Sequence, residues 1–411
     1  MKNPFFESSF WNTAFRPFFW FGSLYGILIV GLWLFVLSNM IPNPIQINSI
    51  HWHSYEMVFG FTKAIVMGFL FTAVQNWTNT TILKGKSLFY LLTFWLLGRI
   101  SFYSFGFLGY ISFGFDICSD LMVIYLLIPK LIVPAQKHNR PILYHYACFT
   151  FFHLMSALSA YSILNPEFTL LFIHLTIYVV LFLILIIGGR VVPFFSGVVI
   201  QGYSFKRMAK LESLLLYLPF LFYFVKLLQG SLGISHLIPL DSFSGFHPLG
   251  FTIFGFISFL VIFSLFVSNS IRYLSWKPWK SYQRPILWIL YVGYLWVCIG
   301  FLLYSLSEIN LFPVSSAIHS LTVGGIGVFI YGMITRVSLG HTGRTIVASP
   351  LTVFAYFLLN LSVLVRVVLP LFHQYKYAYY LSGIGWIICF VLFIVQYSRI
   401  LFSPRPDGKP S

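Results

Sequence analysis

Charged side chains are scarce in this sequence. Only 8% of its 411 residues are Asp, Glu, Lys or Arg, whereas 59% are hydrophobic. A soluble domain carries about 25% charged residues because its surface must be hydrated. The mean hydropathy of +0.87 points the same way. The composition therefore excludes an ordinary soluble globular protein and indicates an integral membrane protein.

Acidic residues are the scarcest charged group. Nine Asp and Glu residues stand against 25 Lys and Arg, which gives a formal net charge of +16. Such an excess could indicate nucleic-acid binding, but the sequence has no long basic block and no nucleic-acid-binding module. Basic loops on the inner side of a membrane are the ordinary source of this bias. We therefore expect no nucleic-acid partner.

Cysteine is also rare. The four cysteines are Cys118, Cys148, Cys298 and Cys389. They lie in or beside apolar stretches, and no two of them form a CxxC pair or the CxxCH motif that attaches haem covalently. The sequence therefore excludes haem attachment through that motif, and we expect these side chains to pack in the core.

Long apolar runs dominate the chain, and twelve of them reach the roughly 20 residues that cross a hydrocarbon core. They lie near residues 17–38, 55–75, 88–108, 115–134, 143–163, 168–188, 212–228, 250–270, 285–305, 315–335, 350–370 and 378–401. No soluble domain and no clear internal repeat separates them. The sequence predicts an all-α, polytopic protein with about 12 transmembrane helices, forming one integral membrane domain over residues 1–411.

Basic residues collect in alternate loops, and Lys376 is the main exception. One side holds Lys84, Lys86, Lys137, Arg140, Lys206, Arg207, Lys210, Arg272, Lys277, Lys280, Arg284, Arg336, Arg344, Arg405 and Lys409. Because Lys and Arg favour cytoplasmic loops, we expect both termini to be cytoplasmic and the loop 39–54 to face outward.

Five of the eleven histidines lie in loops or, like His145, at a helix start, where solvation or a backbone partner suffices. The other six are His51, His53, His153, His174, His319 and His341. All but His341 are expected in the outer half of the bilayer. Several imidazoles at matching depth indicate a metal site, because an unpaired polar group is costly in lipid and imidazole binds copper, iron and zinc. A histidine proton relay is the alternative without a metal.

The stretch "HWHSYEMVFGFTKAIVMGFLF", residues 51–71, carries charge into a predicted span. Glu56 and Lys63 fall on one helical stripe but about two turns apart, so each needs a partner from another span. Arg99 in the third span, or Asp116 and Asp120 at the outer end of the fourth, could serve. The resulting network is either a structural ion-pair cluster or a proton path.

The two histidines before this stripe leave two arrangements open. On a helix, His51 and His53 point about 200° apart, whereas an extended backbone would place them on one face. They could therefore donate two ligands to one ion, or one ligand to each of two centres.

The segment "HSLTVGGIGVFIYGMITRVSLGHTGR", residues 319–344, places Gly324, Gly325 and Gly327 just below a histidine. These glycines would let a neighbouring helix, or a flat macrocycle such as haem, approach the backbone; helix packing is the commoner use. His341 would lie roughly 33 Å beyond His319 on a continuous helix. His341 therefore belongs to a second centre or has only a packing role.

Arginines accompany this segment and one other. Arg336 and Arg344 beside His341 would suit haem propionates or lipid phosphates. Arg190, in "GGRVVPFF" at 188–195, ends the predicted sixth span. It is expected to be either an anchor at the inner membrane surface or the partner of a buried acid.

Several of these motifs together resemble the NnrS family. They include "FRPFF" at 15–19, "WHSYEMVFGF" at 52–61, "GGRVVPFF" at 188–195, "HSLTVGGIGV" at 319–328 and "TRVSLGHTGR" at 335–344. The family comprises bacterial membrane proteins described as holding haem and copper and associated with nitric oxide and nitrosative stress. The resemblance implies haem and copper as cofactors, a bacterial inner-membrane location, and nitric oxide or a related small molecule as partner.

Candidate roles follow for particular residues. The metal-ligand candidates are His51, His53 and His319; the haem-binding candidates are His153, His319, His341, Arg190 and Arg344; the catalytic candidates, which would carry protons or charge, are Glu56, Lys63 and Arg99. An electron donor would be needed, and the sequence does not identify it.

Three functions remain open at this stage. The leading hypothesis is a haem–copper protein that handles nitric oxide, with redox conversion of the gas as an uncertain enzymatic activity. The alternative is a transporter or channel for a metal or small solute that uses the same intramembrane histidines. A third reading is a structural assembly subunit, in which the buried histidines are individually replaceable. In each case the chain contacts membrane lipid.

Overall fold

The computed structural model of the chain describes residues 4–41, 47–102, 106–231 and 253–408. Every regular element in these ranges is a helix, so the predicted all-α fold is confirmed. Lys409, residues 42–46 of the predicted outer loop, and residues 250–252 of the predicted eighth span lie outside the described residues.

Twelve long helices occur in the described ranges, one for each predicted span. They are α1 (Phe15–Leu37), α2 (Ser49–Thr78), α3 (Lys86–Leu97), α4 (Phe107–Leu131), α5 (Arg140–Ala160), α6 (Phe168–Val199), α7 (Ala209–Ser231), α8 (Ile253–Ser275), α9 (Pro285–Glu308), α10 (Val314–His341), α11 (Pro350–Val368) and α12 (Tyr375–Phe402). Short 3₁₀ turns adjoin several of them.

Ten of these helices are long and apolar enough to cross a membrane. Of the other two, α3 has 12 residues, which rise only about 18 Å. The second, α5, has 21 residues but includes Arg140, His145 and His153, which lower its hydropathy. The chain is a polytopic membrane protein, and the prediction of about 12 transmembrane helices is confirmed.

Two helices contain π-helical segments. In α2 the α-helix gives way to seven π-helical residues, Glu56–Thr62. In α10 nine such residues, Ser320–Val328, follow His319. Each segment comes directly after a short α-helical entrance that contains a histidine, His53 in α2 and His319 in α10. Because π-helical turns occur mostly at functional sites, these two segments mark places where side chains are set at unusual angles.

The chain forms two compact units. Unit 1 contains Met1–Val179, Ile334–Ala355 and Gly383–Ser411, and unit 2 contains Val180–Met333 and Tyr356–Ser382. Each unit has its own helix packing and buried polar groups. The prediction of one membrane domain concerns the whole chain and stays a prediction.

In unit 1, close packing joins α1 to α2 through glycines. A Cβ at Gly26 would lie 2.8 Å from a ring atom of Phe61, and one at Gly68 would lie 2.8 Å from Phe18 Cβ. Both distances are shorter than two non-bonded carbon atoms tolerate. Small residues therefore let these helices meet at short range, as is usual where apolar helices associate in lipid.

In unit 2, the same principle joins α9 to the π-helical segment of α10. A Cβ at Gly300 would lie 2.5 Å from Leu321, and one at Gly324 would lie 2.9 Å from the Trp296 ring. The glycines below His319 thus face a neighbouring helix. Of the two uses predicted for Gly324 and Gly325, helix packing is the one found at these positions, since Gly325 meets Val297 in the same way.

Two predicted boundaries were wrong. Helix α4 begins at Phe107, not near 115, so Asp116 and Asp120 lie about three turns inside it and not at its end. Helix α6 continues to Val199 through Pro193, so "GGRVVPFF" lies within a helix and does not end one. A proline inside a membrane helix is tolerated where neighbouring groups satisfy the freed backbone.

Candidate functional site

A cluster of charged side chains is buried inside unit 1. Its members are Glu56 and Lys63 of α2, Arg99 just after α3, and Asp116 and Asp120 of α4, and none is more than 7% exposed. We call this set the charge cluster. Isolated charges are very costly in a low-dielectric interior, so these groups must satisfy one another.

Lys63 holds two carboxylates of α4. Its Nζ lies 2.8 Å from Asp116 Oδ1 and 2.9 Å from Asp120 Oδ1, and it also donates to the Asp116 carbonyl oxygen at 2.9 Å. The two aspartates are four residues apart, which puts them on one face of the helix. One ammonium group with three donors can therefore serve both.

Arg99 joins α2 to α4 at a second place, through Glu56. Its Nη1 donates to Glu56 Oε2 at 2.6 Å, and its Nη2 donates to Asp116 Oδ2. The planar guanidinium suits this bridging of two acceptors. Two glycines make room for it: a Cβ at Gly60 would lie 2.9 Å from Glu56 Oε2, and one at Gly98 would lie 2.6 Å from Asp116.

These contacts confirm the partners expected from the sequence. The two-turn separation of Glu56 and Lys63 predicted that neither could pair with the other. The structure pairs the first with Arg99 and the second with Asp116 and Asp120. The three residues proposed as catalytic are thus brought into one buried network.

His153 of α5 extends the charge cluster. Its Nδ1 lies 2.6 Å from Asp120 Oδ2, and its Nε2 lies 2.6 Å from Tyr55 Oη. Tyr55 Oη is also 3.3 Å from Asp116 Oδ2, while Tyr146 donates to Asp120 Oδ1 at 3.0 Å. A series of contacts within hydrogen-bonding distance therefore runs from Asp120 through the His153 imidazole and the Tyr55 phenol to Asp116.

The direction of these hydrogen bonds depends on one proton. Because an ionised Asp120 can only accept, His153 Nδ1 must donate to it. If His153 is neutral, Tyr55 donates to Nε2; if it is protonated, Nε2 donates to Tyr55 and the phenol turns toward Asp116. A single proton added to the imidazole therefore reverses one hydrogen bond and leaves the heavy atoms in place.

The formal charge of the cluster also depends on that proton. Three carboxylates and two cations, with a neutral imidazole, give −3 + 2 = −1. One proton on either His153 or Glu56 would bring the sum to zero, so the cluster has two groups on which a proton can reside.

The Glu56 carboxylate also has an oxygen that is open to a proton. Its Oε2 accepts hydrogen bonds from Arg99 and, at 2.8 Å, from Tyr25. Its Oε1 is buried and has no hydrogen-bond partner within the described part of the chain. A buried acceptor left open in this way is uncommon and marks a place where a water or a proton can bind.

The structure places His153 in the charge cluster and not beside the other histidine candidates. Both of its ring nitrogens have hydrogen-bond partners, and the Phe59 ring stacks on it at 3.9 Å between centroids. Binding haem iron would require it to give up one of these hydrogen bonds. Its role as a haem ligand stays a prediction, and its contacts favour proton handling.

The backbone decides the geometry of His51 and His53. Both lie in the α-helical entrance Ser49–Tyr55 of α2, so their side chains point about 200° apart. The His53 ring stacks on Trp33 with a centroid distance of 4.6 Å. Of the two arrangements left open by the sequence, one ligand to each of two centres is the one that this helix allows.

His319 has the tautomer of an imidazole ligand, but a hydrogen bond occupies its Nε2. Its Nδ1 lies 2.7 Å from the Ser315 carbonyl oxygen and must donate to it, which leaves a lone pair on Nε2. This fixed tautomer is typical of ligating histidines. Here Nε2 accepts a hydrogen bond from Arg366 at 3.2 Å.

The described residues fit haem better than they fit copper. His319 has the tautomer of a haem ligand, and binding iron would require Nε2 to give up its hydrogen bond with Arg366. Among the described residues, however, no group of three or more His, Cys, Asp or Glu side chains could hold a metal ion. A copper ion bound by three such side chains therefore has no assembled site in that part of the chain, and the assignments of His51, His53 and His319 as metal ligands stay predictions.

A comparison with protein families bears on the identity of the chain. The family model described as "NnrS protein" matches residues 9–405. The chain belongs to the NnrS family. No curated protein matches it. Membership associates this polytopic membrane protein with the response to nitric oxide.

The remaining haem candidates of this NnrS protein lie elsewhere. His341 ends α10, and its assignment to a second centre stays a prediction. Its ring lies 5.8 Å from that of Phe15, and its carbonyl oxygen accepts a hydrogen bond from Arg405 at 3.2 Å. Arg344 donates to the Thr342 carbonyl oxygen at 3.3 Å.

Arg190 lies near a partly buried acid, Glu212, but another arginine binds that acid. Arg272 of α8 donates to both carboxylate oxygens of Glu212, at 2.8 and 2.5 Å, and to the Leu185 carbonyl oxygen at 2.8 Å. Arg190 is half-buried and within electrostatic reach of Glu212. The acid-binding role considered for it is thus carried by Arg272, and its role toward haem stays a prediction.

A second buried pair in unit 2 was missed by sequence reasoning. Lys226 of α7 forms an ion pair with Glu308 at the end of α9, and Gln229 donates to the same carboxylate at 3.4 Å. Lys226 Nζ also lies 5.0 Å from the centre of the Tyr304 ring. The sequence did contain a signal for this pair, namely Lys226 inside an apolar span. A lysine in such a place needs a partner and usually marks a functional or structural site.

Proposed function

We propose that this chain handles nitric oxide or a related small oxidant in the bacterial inner membrane, with haem and copper as cofactors, and that the charge cluster supplies the protons. The observation that carries the proposal is the network around His153, which holds an odd formal charge and reverses one hydrogen bond when a proton is added. Family membership supports the choice of nitric oxide.

The chemistry of the gas explains why protons matter. Reduction of nitric oxide to nitrous oxide consumes one electron and one proton for each molecule of nitric oxide, with water as the other product. Nitric oxide itself is apolar and reaches an intramembrane site through lipid, whereas a proton needs a chain of hydrogen-bonding groups. Asp116, Tyr55, His153 and Asp120 form such a chain within unit 1, and Arg99 holds Glu56 beside Asp116 at one end of it. Electrons would come from an external redox donor.

The cofactor part of the proposal rests on particular histidines. Haem would supply the iron that binds the gas and copper would relay an electron. His319 is the strongest haem candidate because its Nδ1 is held by Ser315. His51 and His53 are the copper candidates, His341 a candidate for a second centre, and Arg190 and Arg344 candidates for binding propionates.

One observation favours the alternative of a transporter. Each unit contains a span with a π-helical segment, at Glu56–Thr62 and at Ser320–Val328, and a histidine lies in the α-helical turns just before each segment. Interrupted helices in corresponding parts of two halves are typical of secondary transporters. On this alternative the same histidines would bind a metal or small solute in transit.

Absorption spectroscopy and metal analysis of the purified protein separate the two functions. A Soret band with stoichiometric copper supports the haem–copper proposal. Colourless protein that releases bound metal on dilution would favour the transporter and contradict the proposal.

The proton role is tested by His153→Gln in membranes supplied with an artificial electron donor and nitric oxide. We expect nitric oxide consumption to fall about 100-fold, as for loss of a proton-transferring group, with the haem spectrum retained. His145→Gln is the matched control, since His145 is another buried histidine of α5 and its Nδ1 contacts the Pro141 carbonyl oxygen at 2.8 Å. Equal consumption by the two variants would rule out the proton role.

A further inference from the structure

Arg16 is an unusual residue at the start of α1. It is the second residue of the helix, yet its side chain is fully buried. Its Nη1 donates to the Leu401 carbonyl oxygen at 2.7 Å and to the Ser403 carbonyl oxygen at 2.8 Å. The last carbonyl groups of a helix lack partners within it. One nitrogen of this guanidinium therefore caps the end of α12.

The other two nitrogens of the Arg16 guanidinium do not cap α12. Nε and Nη2 of Arg16 are buried and have no hydrogen-bond partner among the described residues. Buried charged donors are normally satisfied, because leaving them unpaired costs free energy. Their presence indicates that a ligand with hydrogen-bond acceptors completes the site.

The surroundings of Arg16 are strongly positive. Arg344 and Arg405 are close enough for their charges to act on it, and Arg405 donates to the His341 carbonyl oxygen at 3.2 Å. Asp407 is bound by Arg405 at 2.9 and 2.6 Å. Three arginines and this aspartate give +3 − 1 = +2, so the set attracts an anion.

We infer that Arg16, Arg344 and Arg405 form a binding site for a phosphate group, which we call the arginine site. Guanidinium groups match phosphate oxygens in pairs, and a phosphate can accept from several donors at once. A single carboxylate would leave part of the excess charge unbalanced. The phosphate could belong to the headgroup of an anionic phospholipid or to free inorganic phosphate.

The site brings together residues of two sequence motifs. "FRPFF" contributes Arg16, and "TRVSLGHTGR" contributes Arg344, while Arg405 follows the last helix. All three belong to unit 1. Basic pockets between membrane helices are known to bind lipid phosphates. The inference does not depend on the proton role of the charge cluster, which contains none of these arginines, and it competes with the haem-propionate role proposed for Arg344.

The test uses the full-length protein in a neutral detergent at constant ionic strength. Its thermal unfolding is measured with dihexanoyl-phosphatidylglycerol, with dihexanoyl-phosphatidylcholine and with inorganic phosphate. A stabilisation by phosphatidylglycerol that phosphatidylcholine does not reproduce identifies the headgroup as the source. Stabilisation by inorganic phosphate identifies the free ion. No stabilisation by either anion overturns the inference.

Variants assign the effect to the arginine site. Arg344→Gln is preferred to Arg16→Gln, since Arg16 also caps α12 and its loss could unfold the protein. We expect Arg344→Gln to weaken anion binding about tenfold, as for loss of one charge-assisted hydrogen bond. Arg399→Gln, which removes an exposed arginine of α12, should bind like the unchanged protein.

Three outcomes contradict the inference. Unchanged anion binding by Arg344→Gln excludes this arginine from the site. Equal weakening by Arg399→Gln shows a general charge effect and not a site. Loss of haem absorption from Arg344→Gln with anion binding intact would assign this arginine to haem propionates.

Discussion

At the residue scale, the members of the charge cluster stay together because each buried charge would cost free energy without its partner. Asp116 illustrates this, because Lys63 and Arg99 both use its carboxylate and neither reaches water. Removing one partner of a buried ion pair leaves an uncompensated charge, which is far more costly than the pair is stabilising. The cluster therefore behaves as one unit.

Asp116→Asn should lower the stability of the folded protein by about 3 kcal/mol. The amide keeps the shape of the side chain, but it replaces one of the two carboxylate oxygens by an NH2 group, which places a donor against either Lys63 or Arg99. The thermal unfolding midpoint in detergent measures the effect. Glu167→Gln is the control, since this exposed carboxylate should change stability by less than about 0.5 kcal/mol. A midpoint for Asp116→Asn as high as that of the control would show that the ion pairs are weak.

A glycine in α6 has a comparable role in unit 2. The guanidinium of Arg272 occupies the place where a Cβ on Gly189 would be. The absence of a side chain there lets the arginine reach Glu212 and the Leu185 carbonyl oxygen. A motif glycine thus serves a buried ion pair, in contrast to the helix contacts made by Gly324.

Gly189→Ala should displace Arg272 and destabilise the protein by about 1–3 kcal/mol, because the added methyl group overpacks the site. Gly197→Ala in the same helix is the control. Its nearest atom would be Tyr203 Cδ1 at 4.0 Å, so the change should be neutral or stabilising by less than about 1 kcal/mol. Both are compared by thermal unfolding, and equal midpoints would contradict this role of Gly189.

At the element scale, helices are tied in pairs by single buried contacts. In unit 2, the ion pair of Lys226 with Glu308 and the hydrogen bond from Gln229 tie α7 to α9. In unit 1, α2 and α4 are tied by Lys63. Lipid tails are as apolar as the helix surfaces, so such polar contacts and close glycine packing set which faces meet.

A double-mutant cycle tests the contact between α7 and α9. Lys226→Met should cost about 3 kcal/mol because it leaves the Glu308 carboxylate buried without a cation. Adding Glu308→Gln should recover most of that loss, since the double variant has no unpaired charge. If the two losses simply add in thermal unfolding measurements, the residues are not coupled.

At the scale of the whole molecule, the number of crossings determines the sides of the two ends. Ten helices meet the length and hydropathy needed to cross, and α3 and α5 are the two that fall short. With ten or twelve crossings, both even numbers, α1 would begin on the side where α12 ends. The excess of basic residues in alternate loops predicts that this side is cytoplasmic.

Labelling with a membrane-impermeant thiol reagent tests this orientation. In a variant lacking the four native cysteines, Asn48→Cys should react from the periplasmic side, and Gly408→Cys should react only after the membrane is permeabilised. The reverse pattern would invert the predicted topology. Reaction of both from the periplasmic side would require an odd number of crossings.

Much of the site was predictable because a buried charge demands a partner wherever the chain folds. The pairing of Glu56 and Lys63 with residues of other spans followed from their spacing on one helix. The position of Asp116 within α4 did not, since the helix boundary depends on residues 101–107, which carry no strong stop or start signal. The tyrosines that complete the network, Tyr25 and Tyr55, resembled ordinary core residues.

The sequence by itself determined a helical membrane protein with about twelve spans, because hydrocarbon imposes both the length and the hydrogen bonding of each segment. It also determined that the polar residues inside those spans would need partners. Only the tertiary structure decided which partners those are: that His153 bonds to Asp120 and Tyr55 within the charge cluster, and that Arg16 keeps two donors open beside other arginines. The physical reason is that burial cost depends on composition along the chain, whereas hydrogen bonds depend on distances between residues that are remote in sequence.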